Sequence, residues 1–146
     1  MYSFLVILHS LNRFILLALL LIILYRSFTG WRSKSEFLKT DNQLSLFLFI
    51  STHTQLLFGL ILYFISPFVI FSGASMKDSV ARYWLVEHIT GMLIAIALIT
   101  IARISMKKLS SGEAKHKRMF IYNGIALLII ILVIASNQRG FFSISW

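Results

Sequence analysis

The sequence predicts an all-α fold: an integral-membrane four-helix bundle, antiparallel and up-down. Three observations carry this expectation. Apolar residues make up 58% of the chain against 13% charged, and mean hydropathy is +0.85, far outside the range of soluble domains. The apolar residues fall into runs at about 4–25, 44–66, 83–104 and 119–136, each near the roughly 20 residues a helix needs to cross about 30 Å of hydrocarbon. The runs are continuous rather than alternating, which argues against a transmembrane barrel. Short connections make sequential helices antiparallel neighbours, so residues 1–146 read as a single transmembrane domain.

Each element has its own justification. The first run reads as a mature helix rather than a signal peptide, because no basic residue precedes it and no small-x-small cleavage pattern follows. Thr40-Asp41-Asn42-Gln43, Ser75-Met76-Lys77-Asp78 and Ser110-Ser111-Gly112-Glu113 each place a capping oxygen three residues before a carboxylate or amide, the pattern of a helix start. Pro67 ends the second helix. Phe68-Val69-Ile70-Phe71 is too short to span and is expected to lie in the interface over the outer end of the bundle.

Charge sets the expected orientation. The loop 26–39 carries Arg26, Arg32, Lys34 and Lys39, and the loop 105–118 carries Lys107, Lys108, Lys115, Lys117 and Arg118, with Arg103 at its edge. Both should be cytoplasmic by the positive-inside rule, which puts both termini outside, facing the periplasm if the cell is Gram-negative. The opposite side carries only Lys77, Arg82 and Arg139. Tyr2, Tyr83, Trp84, Phe141, Phe142 and Trp146 on that side, with Tyr25 and Trp31 on the other, fit aromatic belts.

Composition also narrows function. There is no cysteine, so thiolate metal sites, iron–sulfur clusters and covalently attached haem are excluded. The net charge of +9 is concentrated in the loops, where topology and anionic lipid explain it. It forms no stripe interleaved with exposed aromatics, so no nucleic-acid partner is expected.

What remains to be explained is a set of polar residues inside apolar runs, where ionisable groups are expensive. His9, Asn12 and Arg13 share one face of helix 1 at spacings of three and four. In helix 3, Glu87 and His88 share an arc with Gly91, Ala95 and Ala102, which should face protein. His9 and His88 lie at matching depth on helices that run the same way, diagonal partners in an up-down bundle. Two such imidazoles can point at each other across the core, the geometry that holds a metal or a haem iron between axial histidines. Arg13 is placed to pair with a haem propionate or with Glu87.

His53 lies about 120° from the polar arc of helix 2 and is the weaker ligand candidate. His116, between Lys115 and Lys117, reads as a solvated loop residue. Two other readings of the cluster stay open: a structural Arg13–Glu87 ion pair with the histidines as its hydrogen-bonding shell, and a proton or ion path. The second is poorly served by an inner half made almost wholly of Leu, Ile, Phe and Ala. A metal site of Glu87, His88 and His9 is hampered by the ~100° between adjacent helical residues. The small-residue arc of helix 3 leaves homodimerisation open.

The patterns His9-Ser10-Leu11-Asn12-Arg13, Thr52-His53-Thr54-Gln55-Leu56-Leu57-Phe58-Gly59-Leu60, Trp84-Leu85-Val86-Glu87-His88-Ile89-Thr90 and Lys115-His116-Lys117-Arg118 resemble a group of small bacterial four-helix integral membrane proteins catalogued as cytochrome-b-like. The resemblance covers essentially the whole chain. It implies a protein of the bacterial inner (cytoplasmic) membrane that binds b-type haem; the function expected on that footing is electron transfer rather than stand-alone enzymology, with a quinone or a respiratory complex as partner. Dihaem b-type cytochromes use four intramembrane histidines, whereas only His9, His53 and His88 are expected inside the membrane here, so one haem is expected. The alternative is a cofactor-free accessory subunit whose His, Arg and Glu cluster is structural.

Overall fold

The computed structural model describes residues 1–137. The expectations for Arg139, Phe141, Phe142 and Trp146 lie outside the described residues. Four long helices dominate: α1 Tyr2–Arg32, α2 Lys39–Ile65, α3 Ser79–Met106 and α4 Gly112–Ala135. All four are long and apolar enough to cross a membrane. Among the described residues every regular element is helical, the remaining one being a short 3-10 helix at Gly73–Lys77.

The helices outrun the apolar segments that announced them. An apolar run marks only where side chains avoid water, whereas the backbone ladder continues as long as its hydrogen bonds are made. Much of the expected loop 26–39 is therefore helix. The true connection is 33–38, turned by Lys34 at φ 54° in the left-handed region. Asp41 closes it: Oδ2 accepts the Leu38 N–H at 2.9 Å and Oδ1 accepts Arg26 Nε at 2.7 Å.

The expected helix starts fall near the observed ones, with different residues at the caps. Ser111 rather than Ser110 receives the Ala114 N–H. Asp78, expected inside the third helix, instead precedes it and receives the Ala81 N–H.

Packing follows a ring. α1 lies against α2 and α4, α3 lies closely against α4, and the α2–α3 seam is the thinnest, leaving α1 and α3 as diagonal partners. Gly91 belongs to the α3–α4 contact, where an added Cβ would collide with Val133. Ala95 and Ala102 are buried in the core of the same chain. The small-residue arc of α3 is thus used within the bundle, since small residues let helix backbones approach closely. Around Leu20, Ala102 and Ala126, all fully buried, the half of the bundle near the basic connections is tightly filled. The outside is apolar, with Phe64, Leu128 and Leu132 each more than half exposed.

His116 is not a solvated loop residue. Because α4 already begins at Gly112, His116 sits in its early turns and faces α1, where it is 2% exposed. Its Nε2–H donates to the Glu36 carbonyl at 3.1 Å, and its ring lies 5.1 Å from that of Phe37. Gly30 makes the space: a Cβ there would lie 2.5 Å from the imidazole.

Gly30→Ala should therefore destabilise the protein by about 1–3 kcal/mol through overpacking. Adding His116→Ala should remove most of that penalty, because the two sites are coupled through one contact. Thermal unfolding of the single and double variants in detergent checks this.

Candidate functional site

The polar residues of the other half of the bundle gather around one cavity. His9 and His88 do meet across the diagonal: their ring centroids are 6.5 Å apart with an interplanar angle of 61°. Between and beneath them lies a cavity of about 160 Å³, lined on α1 by His9, Ser10 and Arg13, on α2 by Thr52, Gln55 and Gly59, and on α3 by Tyr83, Trp84 and His88. Its far end is wholly apolar, at Ile96, Ile99 and Ile130.

Each histidine is held by a different device. His9 is fixed through its backbone. Gln55 Nε2 donates to the His9 carbonyl at 2.9 Å, Asn12 Nδ2 donates to Gln55 Oε1 at 2.7 Å and to the Ser51 carbonyl at 2.9 Å, and Ser51 Oγ donates to Asn12 Oδ1 at 3.1 Å. This polar clasp locks the register of α1 against α2. Gly59 lies against the His9 ring, with an ideal Cβ only 3.2 Å from Cε1.

His88 is held by a wide turn. Residues Tyr83–Glu87 form a π-helical segment in which the His88 N–H bonds to the Tyr83 carbonyl. In an α-helix, residues five apart point about 140° apart; the wide turn brings Tyr83 over His88. The Tyr83 hydroxyl donates to the Val133 carbonyl at 2.9 Å, and His88 Nδ1 lies 3.4 Å from the same oxygen. With its proton committed to Val133, Tyr83 can only accept from His88. That places the His88 proton on Nδ1 and leaves Nε2 with the lone pair a metal needs. Trp84 packs 5.4 Å from the His88 ring, and Tyr63 ties the segment to α2 by donating to the Leu85 carbonyl at 2.8 Å.

Glu87 departs from its expected place. The carboxylate is 42% exposed and pairs with Arg82 Nε at 2.8 Å; it does not line the cavity. The expected Arg13–Glu87 pair gives way because Arg82, five residues back, reaches the same carboxylate across the wide turn. Arg13 lies in the cavity wall, with its guanidinium 4.9 Å from the Phe14 ring centroid. His53 stays on α2, donating from Nδ1 to the Phe49 carbonyl at 2.9 Å and packing on the Phe49 ring. It does not line the cavity. Among the described residues no three His, Asp or Glu side chains gather as a metal-binding group, so Glu87, His88 and His9 form no triplet.

Two buried atoms in the cavity wall lack hydrogen-bond partners, His9 Nδ1 and Thr52 Oγ1. Buried polar atoms are usually satisfied, so the wall retains unspent hydrogen-bonding capacity. Two imidazoles bound to opposite sides of one metal, each at about 2 Å, hold their centroids on the order of 6 Å apart. The observed 6.5 Å is of that order, and it is equally the separation of an ordinary edge-to-face ring contact. The cavity is close to the ~150 Å³ of an engineered benzene-binding cavity, so a whole porphyrin enters only if a wall moves. The thin α2–α3 seam is the wall with least packing to lose.

Sequence reasoning did not assign roles to Tyr83, Gly59 or Thr52 here. The spacing of Tyr83 from His88 gives no signal unless the wide turn is known. Comparisons with family models, curated proteins and solved structures returned no match.

Gln55→Ala should leave the Asn12 amide and the His9 carbonyl short of partners and destabilise the protein by about 1–3 kcal/mol. Thermal unfolding of the variant in detergent measures this.

Proposed function

We propose that this chain is an integral membrane protein of the bacterial inner membrane, an antiparallel up-down bundle with both termini outside, that binds one b-type haem between His9 and His88. The observation that carries the proposal is the pair of imidazoles facing each other across diagonal helices at a spacing suited to one metal centre. The apolar exterior and the four span-length helices support the membrane placement, since soluble monomers rarely expose such continuous apolar surface. The clustering of Lys and Arg at one end supports the orientation.

The residues divide the work. His9 and His88 would hold the iron; Tyr83 orients His88; the Asn12–Ser51–Gln55 clasp fixes the depth of His9. Arg13, one turn below His9, offers a positive charge to a propionate. The apolar floor at Ile96, Ile99 and Ile130 keeps water from the centre. Haem bound there would supply reversible one-electron transfer, suited to exchange with a lipid-soluble quinone or a larger respiratory complex.

Purified protein from cells supplied with haem should give a reduced-minus-oxidised spectrum of a low-spin b-type centre. His9→Gln and His88→Gln should each abolish it, and His53→Gln should leave it intact. A folded protein without any haem signal would sink the proposal and favour the cofactor-free accessory subunit. Tyr83→Phe should lower haem affinity by about 10–100-fold, the usual effect of removing the group that orients a ligating imidazole; haem titration of the purified variant reads it.

A further inference from the structure

At the opposite, basic end of the bundle, Arg103 of α3 reaches across the seam to α2. It is 8% exposed, and its Nη1 donates to Ser45 Oγ at 2.9 Å, to the Asn42 carbonyl at 3.3 Å and to Asn42 Oδ1 at 3.4 Å. All three acceptors are neutral. The ion pairs among the described residues are Arg26–Asp41 and Arg82–Glu87, so Arg103 has no carboxylate partner there. The nearest acidic residue in sequence to its α2 contacts, Asp41, already spends both oxygens on Arg26 and on the Leu38 N–H.

A nearly buried guanidinium without a counterion is expensive and calls for an anion. Its surroundings point the same way. Lys39 lies three residues before Asn42 on α2, and Lys107, which follows the end of α3 with backbone still helical, lies four residues after Arg103, so each falls on the face that flanks Arg103; both are exposed. Asn42 is exposed beside them and opens the seam to the outside. Arg103 lies one turn from the end of α3 at Met106, about 5 Å along the axis. In a spanning helix that is the level where the hydrocarbon gives way to lipid phosphate.

We infer that Arg103, with Lys39, Lys107, Asn42 and Ser45, forms a phosphate-binding site at the α2–α3 seam that takes the headgroup of an anionic phospholipid from the cytoplasmic leaflet. The inference rests on the membrane placement proposed above and is independent of haem. The guanidinium supplies a planar fork for phosphate oxygens, the Ser45 hydroxyl and Asn42 hold the fork in place, and the two lysines add charge at the rim. The shared chemistry is a phosphate oxyanion, which a lipid headgroup or free phosphate could each provide.

Native mass spectrometry of the detergent-purified full chain, titrated with phosphatidylglycerol or with phosphatidylcholine, tests the site. Phosphatidylglycerol should be retained preferentially. Arg103→Gln, which removes the guanidinium and keeps a neutral polar side chain, should weaken that retention by about tenfold or more, and Lys117→Gln, placed over Trp31 at 5.7 Å on the α1–α4 side, should not. If Arg103→Gln fails to fold, Lys39→Gln/Lys107→Gln should show the same loss in a chain that keeps Arg103. Millimolar inorganic phosphate that displaces the lipid would support the oxyanion chemistry with free phosphate as a competing source; phosphate without effect would assign the site to the lipid. Equal retention of the two lipids, or undiminished phosphatidylglycerol binding by a folded Arg103→Gln protein, would overturn the inference.

Discussion

The structure depends on one constraint: polar groups buried in an apolar bundle are costly without hydrogen-bond partners, and here the partners that tie the bundle together lie on neighbouring helices. The half of the bundle around His9 is built on that rule. Asn12 and Gln55 bind α1 to α2 through side-chain and backbone acceptors. Tyr83 binds α3 to α4 at Val133, and Tyr63 binds α2 to α3 at Leu85. These bonds do not consume the imidazole of His9. They fix the backbone that carries it, so the ring is placed while its nitrogens are left for something else.

The two halves of the bundle differ in density. Near the basic end, Leu20, Ala102, Ala126 and Met119 are essentially fully buried and leave little room. Around the histidines the helices line a cavity of about 160 Å³. Side chains larger than Gly59 and Thr52 would reclaim part of that space. The chain instead places a glycine against His9 and a hydroxyl without a partner in the wall. Both choices leave the cavity unfilled by side chains.

Much of this was legible in the sequence, for physical reasons that can be named. Apolar run lengths reveal helices because a long continuous apolar segment satisfies its backbone polar groups most fully within one helix, and His9 and His88 could be matched in depth because helical rise is constant. The polar face of His9, Asn12 and Arg13 and the polar arc of helix 2 follow from helical periodicity, and in the structure they meet, the arc contributing Thr52 and Gln55 to the cavity wall. What was not legible depended on local irregularity or distant partners. The wide turn at Tyr83–Glu87 changes the direction of every side chain around it, giving Glu87 to Arg82 and Tyr83 to His88. The burial of His116 depends on Gly30, a residue on another helix far away in the chain. Its charged neighbours Lys115 and Lys117 pointed to solvent while the ring itself faced inward.

The proposed centre requires His9 and His88 to face each other across the diagonal, and the lack of cysteine in the sequence makes that geometry directly measurable. A His9→Cys/His88→Cys variant in membranes, treated with a short bismaleimide, should cross-link efficiently, whereas His53→Cys/His88→Cys should not, because His53 lies outside the shared cavity. Cross-linking through position 53 with none between positions 9 and 88 would mean that the bundle is rotated and that the proposed centre does not exist.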